Sequence, residues 1–177
     1  MEYPLIPDCF ISYSSYDSDF ARSVCEELQG HGLSVFMASA SLKPGEHWTS
    51  ETQRNLTQSN WVIVLASRAA CASAYVNQEV GAALMGAKTV VPIVWDMPQA
   101  ELPGWLQDVQ ALDLRGSSIE QLQAQVGSIA GWIKQDQNKG LIIIGILILG
   151  LLWEAEIEHL STCGGSDSKG TACYGGL

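Results

Sequence analysis

Apolar residues along this chain fall into short unbroken runs, with stretches of helical spacing between them. Residues 9–13, 33–37, 61–66 and 89–95 are such runs. Runs of this length without polar alternation suit strands covered on both faces. Between the first two, Phe20, Val24 and Leu28 recur at helical spacing, and Gly30 and Gly32 bracket the end, so the spacing predicts a helix over 17–31. A polar helix is expected over 47–58, a second over 74–86 and a closing one over 118–134. Pro44-Gly45 marks the loop at 38–46. A Pro-containing connection, 97–109, precedes a short last strand at 110–114.

Strand and helix alternate about five times, which predicts an α/β fold: a flavodoxin-like, doubly wound, five-stranded parallel sheet. In such sheets ligands bind at the carboxyl ends of the strands. The chain then changes character. Residues 1–134 read as one domain, 135–139 as a polar linker, 140–153 as fourteen consecutive apolar residues, and 154–177 as a Gly/Ser-containing flexible tail. As a C-terminal hydrophobic helix, the apolar segment is about 21 Å long, short against a bilayer core of about 30 Å. Its lack of polar side chains, the terminal Trp153, and Lys134 and Lys139 ahead of it favour a membrane anchor at the inner membrane, with the globular part cytoplasmic. Burial in self-assembly is the alternative.

Composition narrows the partners. A net charge of −10 argues against a nucleic-acid-binding surface. The cysteines at 9, 25, 71, 163 and 173 form no CxxC pair, so no metal site is expected. Cys9, Cys25 and Cys71 read as small buried thiols; Cys163 and Cys173 have the chance to pair if the tail reaches an oxidising compartment. Met1-Glu-Tyr-Pro lacks the basic and apolar regions of a signal peptide.

Four stretches in order carry a family resemblance. Asp8-Cys-Phe-Ile-Ser-Tyr13 is similar to the first box of TIR (Toll/interleukin-1 receptor) domains. Leu33-Ser-Val-Phe36 with Ser41-Leu-Lys-Pro-Gly-Glu-His-Trp48 resembles their second strand and BB loop. Trp61-Val-Ile-Val-Leu-Ala-Ser67 resembles the central strand. Tyr75-Val-Asn-Gln-Glu79 resembles the WxxxE helix motif, with Tyr75 in place of Trp. The resemblance covers residues 6–134 and implies one of two functions. Some TIR domains are adaptors that signal by self-association. Others, many of them bacterial, cleave NAD at the nicotinamide–ribose bond, with the Glu of WxxxE catalytic. The implied activity is a bacterial defence NAD glycohydrolase, with NAD as substrate, no bound cofactor, and activation by self-association. One departure concerns residue 38, an alanine where many relatives carry an acid.

The residues allow that chemistry. Nicotinamide leaves as a neutral molecule, so the demand is a carboxylate beside a developing oxocarbenium ribose. Glu79 is the candidate, and Tyr75, four residues earlier, shares its helix face. An ordinary solvated helix Glu is the alternative. Ser14 and Ser15 follow the first strand, where their hydroxyls suit a ribose or phosphate or cap the next helix, with Ser15 or Asp17 as N-cap. Tyr13 and Phe36 end adjacent strands and serve either the nicotinamide ribose or the core. Lys43 reads as a phosphate contact or a surface lysine, and Trp48 as loop packing or an adenine contact. A flavin carrier lacks its Gly-rich phosphate loop here.

Overall fold

A computed structural model describes residues 6–38 and 50–139. The chain divides into two compact units, 1–134 and 135–177. Of the second unit only 135–139 are described; the sequence reads them as linker, and they are helical. The apolar segment 140–153, Cys163 and Cys173 lie outside the described residues. Among those described, no helix is long and apolar enough to cross a membrane.

The first unit contains five parallel strands: β1 (Cys9–Ser12), β2 (Val35–Met37), β3 (Trp61–Leu65), β4 (Thr89–Val94) and β5 (Leu112–Asp113), in the order β2-β1-β3-β4-β5. The helices are α1 (Ser18–Gly30), α2 (Ser50–Gln58), α3 (Arg68–Ala72), α4 (Ala74–Met85), α5 (Gly104–Gln107) and α6, residues 119–134. The alternation of side chains along each strand feeds two cores. Cys9 and Ile11 of β1, Ile63 and Leu65 of β3, and Ile93 of β4 meet Val24 and Leu28 of α1 and Ile129 and Ile133 of α6. Their neighbours Phe10, Val62, Val64, Val90 and Val94 meet Leu56 of α2 and Val76, Val80 and Ala83 of α4.

The strands predicted from sequence all form, each somewhat shorter than expected and β2 and β5 by two or more residues. Just before β2, the Ser34 N–H donates to the Asp8 carboxylate (2.7 Å), and its carbonyl accepts from the N–H groups of Asp8 (2.8 Å) and Cys9 (3.3 Å). For β5, the cause of the shortening is Pro92. The carbonyl of Ile93 faces β3, accepting from Ala66, and that of Val94 faces β5, accepting from Leu114. Pro92 therefore turns toward β5 with no N–H to offer, and pairing starts only at Ile93–Leu112. Two short helices, α3 and α5, were not expected, since four or five residues are too few to show a helical period.

Candidate functional site

The carboxyl ends of β1 and β2 and the first turns of α4 form the edge on which the candidates lie. Helix α4 starts at Ser73, whose hydroxyl accepts from the Val76 N–H (3.4 Å). Its inward stripe is Val76, Glu79, Val80 and Ala83. A carboxyl group on an otherwise apolar stripe is forced inside with its neighbours, and Glu79 is only 4 % exposed. Such burial is costly without hydrogen bonds. Ser12, the last residue of β1 and itself fully buried, donates its hydroxyl to Glu79 Oε2 at 2.6 Å.

Several candidates gather on this same face. Phe36 stacks on Phe10 with ring centroids 5.5 Å apart and packs against the α4-side core. Ala38, 1 % exposed, continues β2 by donating its N–H to the Ile11 carbonyl (2.9 Å), beside Ser12. Tyr75 is half-buried one turn before Glu79. Tyr13 does not join them. As the residue after Ser12, it turns to the other face and packs against the α1–α6 core. Burial raises its phenol pKa, the Arg22 charge opposes that rise, and the Glu79 charge adds to it.

Ser15 opens a single 3-10 turn, Ser15–Asp17, between β1 and α1, and Ser14 is its N-cap. With Tyr16, Ala69, Ala72 and Ser73 they line an open cavity of about 330 Å³. Ser14 is buried and accepts from the Tyr16 N–H (3.4 Å), while Ser15 is exposed. Of the two N-cap candidates, Asp17 occupies the N-cap position of α1 but makes no side-chain capping bond, and Ser14 caps the 3-10 turn. The Asp17 carboxylate instead accepts from the Ser67 hydroxyl (2.6 Å), fifty residues along the chain. Ser67 in turn accepts from the Ala70 N–H (2.9 Å) and so caps α3. Burial raises the Asp17 pKa; the Ser67 bond opposes this, and the Asp96 charge adds to it. Lys43 and Trp48 lie outside the described residues. Trp95 packs on Phe20 with centroids 4.4 Å apart.

Ser12, Ser67 and Ser73 were not singled out from sequence. The pattern held a signal for Ser12: alternation from Phe10 puts a hydroxyl on the face that Glu79 must share. Ser67 and Ser73 bracket a helix too short to be seen in the sequence. Among the described residues, no group of three His, Cys, Asp or Glu side chains is placed to hold a metal ion.

A family model described as the TIR domain matches residues 9–126, about two thirds of the chain. The chain belongs to the TIR domain family. Solved TIR structures share its fold. The TIR domain of the Toll-related receptor TRR-2 from Hydra magnipapillata is 18 % identical, with a TM-score of 0.59 over 72 % of this chain and 98 % of that one. The TIR domains of the activated Roq1 resistosome, which recognises the effector XopQ, are 17 % identical, with a TM-score of 0.55 over 73 % of this chain and 98 % of that one. A TIR-STING receptor from C. gigas, in complex with 2',3'-cGAMP, is 21 % identical, with a TM-score of 0.55 over 73 % of this chain and 41 % of that one. At these identities the likeness is one of fold.

Proposed function

We propose that this TIR domain is an NAD glycohydrolase, cleaving the nicotinamide–ribose bond to release nicotinamide and leave ADP-ribose or a cyclised form. The reading is carried by one observation: Glu79 is held in a nearly water-free position at the carboxyl edge of the sheet by the Ser12 hydroxyl. A fixed carboxylate in low-dielectric surroundings acts strongly on a nearby positive charge. As the C1′–N bond breaks, the electron pair leaves with nicotinamide and positive charge develops on the ribose, where Glu79 stabilises it. Water then adds at C1′, or an adenine nitrogen closes the cycle. Ser14 and Ser15 line the cavity at the adjoining turn and supply hydroxyls for ribose or phosphate. Tyr75, one turn before Glu79, and Phe36, on the same face of the sheet, serve as substrate contacts in this reading, and Tyr13 supports the edge from the opposite face. In this reading Lys43 is assigned to a phosphate and Trp48 to the adenine, as the sequence allows.

Activity in this reading rises with self-association; the Roq1 TIR domains were likewise solved within an activated assembly. Anchoring through 140–153 raises the effective concentration of chains and favours that contact.

The test is incubation of concentrated or membrane-reconstituted protein with NAD, following nicotinamide by chromatography. Wild type releases it, and Glu79→Ala, with unchanged circular dichroism, loses about 10²-fold or more in turnover. A specific observation supports a second reading, a TIR–TIR interaction module: buried Ala38 puts a methyl group beside Ser12, where many relatives carry an acid. If assembled wild-type protein releases no nicotinamide, that reading replaces the first.

A further inference from the structure

We infer that Asp17 is a positioning residue that ties together the two walls of the serine-lined cavity, and so sets how tightly the polar part of the substrate is held. The inference rests on the hydrolase reading for its substrate, but its geometry is independent of that reading. One wall is the turn after β1, which carries Ser14, Ser15 and Tyr16; the other is the α3–α4 corner, which carries Ala69, Ala72 and Ser73. Asp17 ends the first wall, with its N–H donating to the Ser14 carbonyl (2.8 Å). Its carboxylate reaches Ser67, at the root of the second wall.

The Ser67 hydroxyl is used twice, donating to Asp17 and accepting from the Ala70 N–H, so neither wall can shift without disturbing the other. The next residue adds to this hold: the Arg68 N–H donates to the Asp96 carboxylate (3.1 Å) and the Arg68 guanidinium pairs with Glu101 (2.7 Å). The start of α3 is thus held by adjacent residues, Ser67 on Asp17 and Arg68 on Asp96 and Glu101, and Asp17 is the link that couples it to the serine turn. Tyr16, 90 % exposed, makes no comparable link from this wall.

Asp17 does not touch Glu79 in this arrangement, so its loss changes substrate binding and leaves the chemical step. In Asp17→Ala the KM for NAD rises about tenfold, with kcat changed less than about twofold, as for a residue that holds binding groups in place. Asp17→Asn keeps an acceptor oxygen for Ser67 and behaves close to wild type. Asp17→Ala combined with Ser67→Ala is no worse than the more severe single variant, because both remove one shared bond.

Hydrogen exchange reports the tie without any substrate: Asp17→Ala speeds exchange at 14–16 and also at Ala70, and Ser67→Ala loosens the Asp17 N–H in return. The inference is overturned if exchange at Ala70 is unchanged in folded Asp17→Ala, or if KM for NAD is unmoved. Failure of wild-type protein to cleave NAD sinks the hydrolase reading instead, and the exchange result then decides the tie by itself.

Discussion

At the scale of single residues, two carboxyl groups, Glu79 and Asp17, have different roles. Glu79 lies among apolar neighbours and is oriented by Ser12. Removing that donor loosens the hold on the carboxylate, so Ser12→Ala is expected to lower NAD turnover by roughly 10-fold, with KM little changed. Steady-state kinetics beside Glu79→Ala checks this. Asp17 is a partly buried acid whose pKa lies above the ordinary 3.8, chiefly through burial. A raised carboxyl pKa means that the folded state favours the proton. The stability Asp17 contributes is therefore greatest below its unfolded pKa and declines as pH rises through the folded value. Asp17→Asn removes the charge and keeps the acceptor. It is expected to be at least as stable as wild type at pH 7, with the difference shrinking as pH falls toward 4; thermal melts across that range measure it. A loss of stability in Asp17→Asn at neutral pH would show that the charge itself is needed.

At the scale of elements, α6 offers a controlled pair of glycines. A Cβ at Gly131 meets nothing within 4 Å, whereas one at Gly127 comes to 2.9 Å from His31 Nε2. Alanine in a helix interior is favoured over glycine by about 1 kcal/mol. Gly131→Ala should therefore raise stability by about that much, and Gly127→Ala by less, because the His31 ring must swing away from its 3.2 Å contact with Glu27. Chemical denaturation of both variants separates the two effects. At the end of α4, Ala87 adopts φ 51°, a left-handed conformation that costs a side-chain-bearing residue about 1 kcal/mol. The neighbouring Lys88 ammonium closes the C-terminus of α2 by donating to the Thr57 and Ser59 carbonyls. These features shape the edge of the sheet opposite Glu79 and are expected to affect stability without affecting the site.

At the scale of the first unit, the sheet separates two apolar cores that share the backbone of β1, β3 and β4. Ile63 belongs to the core under α1 and α6, and Phe10 to the core under α2 and α4. Truncating fully buried side chains of this size leaves cavities that cost about 2–5 kcal/mol for Ile→Ala and about 3–5 for Phe→Ala. Ile63→Ala is expected to destabilise without a specific effect on NAD, while Phe10→Ala also removes the ring on which Phe36 stacks and should lower turnover per folded molecule. Comparing turnover with the folded fraction from denaturation separates these outcomes. The same burial holds the Cys9 thiol inert: its pKa is pushed up to about 12, first by burial and then by the charges of Asp8 and Cys25.

The sequence alone determined the parallel sheet, the order of its elements and the place of Glu79 on a helix. Those properties follow from local periodicity, which is written in consecutive residues. It also marked the strand end that carries Ser14 and Ser15. The partners of the two acids were decided by tertiary structure. Ser12 meets Glu79 across 67 positions and Ser67 meets Asp17 across 50, contacts that arise only when strands pair and helices cross over them. The sorting of Tyr13 away from Phe36 followed from the pleat, since neighbouring positions on a strand face opposite sides of the sheet. Asp17 stands at the N-cap position that the sequence offered for it, but its carboxylate takes a distant partner, Ser67, which local sequence cannot show.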